Sequence, residues 1–280
     1  MRKGVFFLLV MLSFALFSSV NREVRSNTRK QTLITKESEN IEDSDNEEDE
    51  IEKQYYYVEH IKKMIIDIQI NKDGTLLINE HINYYTYSSK HGIFRFIPIK
   101  RDYIAGNSIG VVMNYIARDG NTEKYKKMNL NDGIEYRIGN PKTYISKDNE
   151  YDINYIVYGA VEKKDNNIYI INWNAVGQYW AFPILDSEVK IHFEGGQKIN
   201  ANEVKNLEIF TGSYGSKNKD FSYKINEDSI IIKQSKVFDK NEGLSFFLTL
   251  NTEKINMSSI NYIESYFNKN IALGISIIVF

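Results

Sequence analysis

Between residues 55 and 250, apolar and polar side chains alternate in short runs and do not repeat at helical spacing. In the run MIIDIQI (64–70), Ile66, Ile68 and Ile70 fall on one face of an extended chain. Asp67 and Gln69 fall on the opposite face. Alternation of period two is typical of a half-buried β-strand, so this run is predicted to be a strand with one face in a core.

The same alternation recurs along the chain, separated by turn-forming residues. Asp73 and Gly74 predict a hairpin between the first two runs, because glycine tolerates a positive φ. In the second run Leu76, Ile78 and Glu80 share one face. Further predicted strands are IGVVMNYIA (109–117), YDINYIVYGAV (151–161), NIYIINWN (167–174), SEVKIHF (187–193), LEIFTG (207–212), FSYKI (221–225), SIIIKQ (229–234) and LSFFLTL (244–250).

Many of these strands are separated by Gly, Asn and Asp turn signals such as RDGN (118–121), GNPK (139–142), KKDNN (163–167) and FEGGQ (193–197). Repeated short strands with such turns favour an all-β fold, an antiparallel β-sandwich of Ig-like or jelly-roll-like type, over residues 55–255. A sub-boundary near Gly196 would divide it into two stacked β-units, and one continuous sandwich is the alternative.

The N-terminal part of the chain predicts export. Arg2 and Lys3 precede an apolar run from Val5 to Phe17, so residues 1–20 are predicted to be a signal peptide, with an uncleaved anchor as the alternative. Residues 21–54 are polar and charged, and they are predicted to form a disordered linker.

The C-terminal part of the chain ends in an apolar run from Ile271 to Phe280. Tyr262 and Tyr266 precede this run and suit the membrane interface. Residues 256–280 are therefore predicted to be a juxtamembrane segment and the start of a transmembrane helix, which needs about 20 apolar residues. A docked tail of the β domain is the alternative.

Charge is distributed unevenly, although the chain has a net charge of only −2. Residues 1–36 carry +6, residues 37–53 carry −9, and the remaining residues carry +1. A nearly neutral folded part argues against nucleic-acid binding.

Neither a metal site nor a cofactor is predicted. The chain contains no cysteine, which excludes disulfides and thiolate metal ligands. Its histidines, His60, His81, His91 and His192, lack the spacing of a metal-binding motif.

An arginine lies in an otherwise apolar row of the segment KHGIFRFIPIKRDY (90–103). Alternation places Arg95 on the same face as Ile93 and Ile97. A guanidinium in a core needs a partner, because an unpaired buried charge is very costly. Glu80 is predicted to form a structural ion pair with Arg95 across neighbouring strands. The alternative is that Arg95 binds an anionic ligand, and no residue is predicted to be catalytic.

Two tryptophans and a tyrosine surround a predicted turn at Gly177. Trp173, Tyr179 and Trp180 could form an aromatic platform for a sugar, which makes Trp180 a candidate binding residue. The alternative is that the tryptophans belong to the core. A sugar-active enzyme would also need two close carboxylates, and Glu80 with Asp152 is the pair that the sequence nominates.

Several segments resemble a bacterial family of predicted membrane proteins, domain of unknown function 2207. HGIFRFIP (91–98) resembles the family signature HGIYRDIP, although Phe96 stands where the family usually has an acidic or polar residue. The other similar segments are INKDGTLLINE (70–80), RIGNPKTYISKDNEYDINYIVYGAV (137–161) and IYIINWNAVGQYWAFPI (168–184).

The resemblance implies a signal sequence, an exported β-rich domain and one or more transmembrane helices, with no established activity. We therefore expect a membrane-anchored, extracytoplasmic β-sandwich that acts as a non-enzymatic binding or scaffold module of the bacterial cell envelope. Its expected partners are the membrane and an envelope protein or polysaccharide. The alternatives are a carbohydrate-binding or sugar-active protein and a secreted adhesin without an anchor.

Overall fold

The computed structural model describes Glu50 and residues 53–99 and 109–257. The chain divides between Gln54 and Tyr55 into two units, and every strand that the structure describes lies in the second. Among the described residues, no helix has the length and the apolar composition that crossing a bilayer requires.

The predicted terminal segments fall largely outside the described residues. This holds for the whole signal peptide (1–20) and for residues 258–280 of the predicted juxtamembrane and transmembrane segment. Of the predicted linker (21–54), only Glu50, Lys53 and Gln54 are described, and these three residues are helical.

The fifteen described strands form three sheets of eight, four and three strands. The eight-stranded sheet has the order β13 (Phe221–Ile225), β14 (Ile230–Gln234), β11 (Ile184–Phe193), β1 (His60–Ile70), β2 (Leu76–Lys90), β8 (Ile145–Tyr158), β4 (Gly110–Arg118), β5 (Asn121–Thr122). The four-stranded sheet has the order β12 (Val204–Gly212), β15 (Gly243–Asn251), β10 (Ile168–Asn174), β9 (Val161–Asp165). The three-stranded sheet has the order β3 (Ile93–Pro98), β7 (Gly133–Ile138), β6 (Tyr125–Asn129).

Most of the predicted strands and turns are confirmed, and so is the β-rich fold class. The first hairpin joins β1 to β2 through a turn in which Gly74 has φ 81°. Ile66, Ile68 and Ile70 are fully buried, while Asp67 and Gln69 between them are partly exposed. The RDGN turn joins β4 to β5, with Asp119 and Gly120 both at positive φ.

The predicted strand 151–161 runs from β8 into β9, and the predicted turn 163–167 overlaps the end of β9. Strands β6 and β7 and the short β5 were not predicted from the sequence. Only the inner positions of β7 are apolar and buried, and β6 is mostly exposed. Hydrophobic alternation is therefore weak in this hairpin, although it forms most of the three-stranded sheet.

The prediction of a purely antiparallel sandwich is wrong at one strand pair. Strands β1 and β11 are parallel, with Ile66 opposite Val189 and Ile68 opposite Ile191. Parallel neighbours cannot be joined by a tight turn and need a crossover connection. Here the chain builds β2 to β10 before β11 returns beside β1, and local turn signals do not reveal such a return.

Strands from both sides of Gly196 share the two larger sheets, so no sub-boundary falls there. β13 and β14 follow Gly196 in sequence and extend the sheet that contains β11. β15 lies between β12 and β10 in the four-stranded sheet. One hydrophobic core contains buried side chains from all three sheets, including Ile66, Trp173 and Tyr136.

Candidate functional site

Glu80, Tyr155 and Arg95 meet in the core, and alternation along their strands explains why each points inward. Glu80 on β2 lies opposite Ile153, two register positions from the pair formed by Ile78 and Tyr155, so Glu80 and Tyr155 share one face of the sheet. Arg95 occupies the middle of β3, between the inward-facing Ile93 and Ile97. Glu80 and Arg95 are 1% and 2% exposed, and Tyr155 is fully buried.

The Arg95 guanidinium is held by three acceptor atoms. Its Nε donates to Glu80 Oε2 at 2.8 Å, and its Nη2 donates to Glu80 Oε1 at 2.5 Å. Its Nη1 donates to the backbone carbonyl of Phe96 at 2.7 Å. The Tyr155 hydroxyl also donates to Glu80 Oε1, at 2.5 Å. The carboxylate thus receives a bidentate arginine and a phenol, an arrangement that satisfies buried charges.

The surroundings keep the Arg95 guanidinium charged and the Tyr155 hydroxyl protonated. Burial alone would lower the pKa of Arg95, but the Glu80 carboxylate outweighs burial and raises it. Burial, followed by the negative charge of Glu80, raises the pKa of the Tyr155 hydroxyl well above its ordinary value. Tyr155 therefore remains a hydrogen-bond donor to Glu80 at physiological pH.

The loop that follows β10 closes the cluster on another side. Gly177 has φ 80°, and a Cβ at this position would lie 2.5 Å from Arg95 Nη1. The Trp180 ring lies with its centroid 5.5 Å from Arg95 Cζ, within the range of a cation–π contact. The Trp180 indole donates to the carbonyl of Val176 at 2.9 Å, which holds the loop in place.

The position of the Glu80–Arg95 contact differs from the prediction in one respect. Strands β2 and β3 belong to different sheets, so the contact joins the eight-stranded sheet to the three-stranded sheet. A short connection between two strands does not require them to pair, and here β3 pairs with β7 instead.

Glu80 and Asp152 do not form a carboxylate pair. Asp152 pairs in register with His81, whose Nδ1 lies 2.8 Å from Asp152 Oδ1. Neighbouring residues of a strand face opposite sides of the sheet, so Asp152 lies outside and Glu80 inside. This is not the geometry of two carboxylates flanking a glycosidic bond.

Both tryptophans of the predicted aromatic platform are buried, and only Tyr179 is exposed. The Tyr179 ring packs edge-on against Phe96, with 4.5 Å between the centroids. The binding roles of Arg95 and Trp180 stay predictions, and a ligand would have to displace the loop at Gly177 to reach either side chain.

Two of the segments that resemble the family meet at the surface. Residues 91–94 (HGIF), 137–139 (RIG) and Pro141 line a cavity of about 270 Å³, together with Lys90. A Cβ at Gly92 would lie 1.8 Å from the carbonyl oxygen of Ile138, and one at Gly139 would lie 1.9 Å from that of His91. Both glycines have positive φ, so these backbones can cross closely only because neither residue has a side chain. We call this cavity the signature pocket.

The sheet face beside the signature pocket carries a row of three exposed side chains. Phe94 on β3 lies opposite Arg137 on β7, and Arg137 lies opposite Lys126 on β6. Within the described part of the chain, neither the Arg137 nor the Lys126 side chain has a hydrogen bond or an ion pair. Phe94 is 53% exposed. We call this surface the outer face.

Sequence reasoning missed the outer face. Arg137 belongs to a segment that resembles the family, but the pattern gave no indication that it would lie beside Phe94. The signals that could have found it are the two glycines, Gly92 and Gly139, each next to a strand.

The histidines lie apart in the structure. His91 Nδ1 lies 2.8 Å from the carbonyl of Thr143, and His192 Nε2 lies 3.0 Å from Asp67 Oδ2. Within the described ranges, no group of three or more His, Asp or Glu side chains is placed to hold a metal ion.

The comparison with known families identifies the chain. Residues 60–249 match the family described as "Predicted membrane protein (DUF2207) N-terminal domain". The match covers most of the β-rich unit, and the chain belongs to this family, as the segments quoted above predicted. No curated protein matches the chain.

Solved structures give only a remote likeness. Yeast LTA4 hydrolase in complex with bestatin is 6% identical with a TM-score of 0.40, over 69% of this chain and 28% of that chain. An M1 zinc metallopeptidase from Deinococcus radiodurans is 7% identical with a TM-score of 0.35, over 68% of this chain and 42% of that chain. The chain spans less than half the length of either protein, and a likeness this weak supports no conclusion about activity.

Proposed function

We propose that the β-rich unit is a non-enzymatic binding or scaffold domain of the bacterial cell envelope, anchored to the membrane and exposed on its extracytoplasmic side. Membership of a family of predicted membrane proteins supports the membrane association. The apolar segments near both ends of the chain support export and anchoring.

The binding role is supported by the contrast between charged groups in the core and charged groups on the surface. The charged groups of Glu80 and Arg95 are buried in the core and form an ion pair with each other. The outer face instead presents Phe94 and two cations that have no acidic partner among the described residues. Such a surface is suited to contact a partner, because exposed aromatic and arginine side chains contribute strongly to binding.

Labelling of single cysteines in intact cells tests this proposal. The chain contains no cysteine, so one introduced cysteine is the only labelled position. Met128→Cys reports on the outer face, because Met128 lies two residues from Lys126 on β6. Tyr223→Cys is the control, since Tyr223 is 51% exposed on β13, in another sheet.

With a membrane-impermeant maleimide, we expect Tyr223→Cys to react in intact cells, and Met128→Cys to react more slowly there than on the purified chain. Reaction of both only after permeabilisation would contradict the extracytoplasmic location. Equal rates for Met128→Cys in cells and on the purified chain would contradict a binding role for the outer face. Recovery of the chain from the culture medium would favour the secreted adhesin.

A second candidate, carbohydrate binding, is supported by a cluster of exposed tyrosines. Tyr56, Tyr57 and Tyr87 are 48%, 71% and 52% exposed. The rings of Tyr57 and Tyr87 have centroids 5.1 Å apart, and the Lys147 amine lies 5.3 Å from the centroid of Tyr56. Lys147 has φ 59°, an uncommon conformation for a residue with a side chain.

Soluble oligosaccharides released from purified cell wall test this second candidate. Binding should quench the tyrosine fluorescence of the wild-type chain, and Tyr57→Ala with Tyr87→Ala should abolish the quenching. Tyr223→Ala is the control and should leave the quenching unchanged. Quenching that survives the double substitution would exclude this cluster as the sugar-binding surface.

A further inference from the structure

We propose that the outer face binds the anionic headgroups of membrane lipids, with Arg137 and Lys126 contacting phosphate groups and Phe94 entering the interfacial region. This inference rests on the proposed function, because it names the partner of the same surface. Four properties of the outer face and of its surroundings support it.

The first property is the pairing of two like charges. Arg137 and Lys126 are directly opposite each other on β7 and β6, and both are exposed. Like charges at opposed positions of two strands destabilise a sheet. Bound phosphates would remove this repulsion, and a guanidinium beside an ammonium can contact one phosphate or two adjacent ones.

The second property is the position of the acidic residue that shares this face of β7. Glu135 lies two residues from Arg137 on β7 and therefore on the same face. Its partners in register are Phe96 and Met128, and within the described residues it forms no ion pair with either cation. The positive charge of the row is therefore available to an external anion.

The third property is the exposed aromatic ring in the same row. Phe94 lies opposite Arg137 and is 53% exposed, although Ile93 and Arg95 on either side of it are buried. An apolar ring beside basic side chains matches the composition of surfaces that lie in the headgroup region of a bilayer. A soluble anion such as inorganic phosphate would make no use of this ring.

The fourth property is the signature pocket beside the row. Its volume is about 270 Å³, and its lining includes Phe94 and Arg137 of the row together with Gly139 and Pro141. His91 also lines the cavity, and its ring centroid lies 4.3 Å from that of Tyr144, which is 71% exposed. This pair of rings extends the amphipathic surface that a headgroup would meet.

The bilayer is the partner that this composition favours over an acidic protein segment. An acidic segment would be met by the two cations, but it would leave Phe94 and Tyr144 in contact with water. A lipid surface supplies phosphate and an apolar interior within the same few ångströms. Because the family is one of predicted membrane proteins, a bilayer is also close to the domain.

An environment-sensitive fluorophore on Met128→Cys of the full chain tests the inference. The labelled chain is mixed with or reconstituted into vesicles of phosphatidylcholine, with and without phosphatidylglycerol. We expect a blue shift of the emission that depends on phosphatidylglycerol. The shift should be lost at about 1 M salt, where the Debye length is about 3 Å.

Substitutions and a competing polymer complete the experiment. Arg137→Gln with Lys126→Gln should abolish the shift, and Phe94→Ala should reduce it, while the label on Tyr223→Cys should show none. A shift that survives the double substitution, or one produced by polyglutamate with phosphatidylcholine alone, would overturn the lipid assignment. Maleimide labelling in cells reports on the proposed function separately, so protection in cells without a shift on vesicles would overturn only the inference.

Discussion

Arg95 and Arg137 lie on adjacent strands of one small sheet, yet their surroundings are opposite. Arg95 is buried, and its guanidinium donates hydrogen bonds to Glu80 and to the carbonyl of Phe96. The guanidinium also makes a cation–π contact with the Trp180 ring. Arg137 is exposed, and no hydrogen-bond or ion-pair partner for its guanidinium lies among the described residues. Arg95 pairs in register with Tyr136, the residue next to Arg137. One position of register therefore separates an arginine that joins sheets from one that can meet a ligand.

Replacing each arginine by an uncharged residue should give the largest difference in the free energy of unfolding. Arg95→Met should lower the free energy of unfolding by about 3–5 kcal/mol, because Glu80 would remain buried without its counter-charge. Arg137→Met should change it by less than about 0.5 kcal/mol, as for other exposed positions. Urea unfolding of the full chain, in detergent where solubility requires it, measures both changes.

A double substitution sharpens this prediction. Glu80→Leu with Arg95→Met should recover most of the stability that Arg95→Met loses, because the buried charge is then removed on both sides. Equal unfolding free energies for Arg95→Met and Arg137→Met would contradict the contrast between the two positions.

The close approach of Gly177 to Arg95 should produce the next largest effect. Gly177→Ala should cost about 3 kcal/mol, because a Cβ would both favour a different φ and press on the guanidinium. Gly120→Ala is the matched control, since Gly120 has φ 74° with nothing within 4 Å of its Cβ position. It should cost only about 1–2 kcal/mol, from φ alone. Similar losses in the two variants would mean that the loop moves away from Arg95 at little cost.

Loss of the Tyr155 hydroxyl should have a smaller effect. Tyr155→Phe should cost about 1.5–3 kcal/mol, because Glu80 would lose one donor while remaining buried. Tyr169→Phe is the comparison, since its hydroxyl donates to the neutral carbonyl of Ile255 at 2.7 Å. It should cost about 1 kcal/mol. Thermal unfolding of both variants measures which substitution costs more stability. A larger cost for Tyr169→Phe than for Tyr155→Phe would contradict this prediction.

Among the buried and partly buried contacts, the smallest effect should come from one between a histidine and an aspartate. His192 Nε2 lies 3.0 Å from Asp67 Oδ2 on the neighbouring strand β1. The hydrogen bond to Asp67 raises the pKa of His192, while burial opposes it. Because the pKa is raised on folding, the contact stabilises the chain below the ordinary histidine pKa of about 6.5 and is lost as pH rises through the folded-state pKa.

His192→Asn should therefore lower Tm more at about pH 5 than at about pH 8. The difference should correspond to less than about 1 kcal/mol, as for other partly exposed ion pairs. His81→Asn is a useful comparison, because His81 is the more exposed histidine and also contacts an aspartate, Asp152. A larger loss at the higher pH would contradict the sign of this prediction.

The strands with clear alternation, and their inward faces, were predictable because each depends on neighbouring residues only, whereas β6 and β7 alternate too weakly to be recognised. Ile66 and Tyr155 fall on inward faces that alternation alone assigns. That Arg95 needed a buried acid was also predictable, from the cost of an unpaired charge in a core. The sheet to which each strand belongs was not predictable from the sequence. Pairing with β7 or with β2 would satisfy the backbone hydrogen bonds of β3 equally well.

The sequence by itself determined a β-rich unit from about residue 55 onward, its main turns, and the presence of Arg95 in an apolar row. It also carried the segments that place the chain in its family. Only the tertiary structure decided that β11 returns parallel to β1, that Glu80 and Arg95 join two sheets, and that Phe94, Arg137 and Lys126 form one exposed row. The physical reason is that alternation specifies which side of a strand is apolar, whereas the partner across a sheet or a core is fixed by packing among residues far apart in the chain.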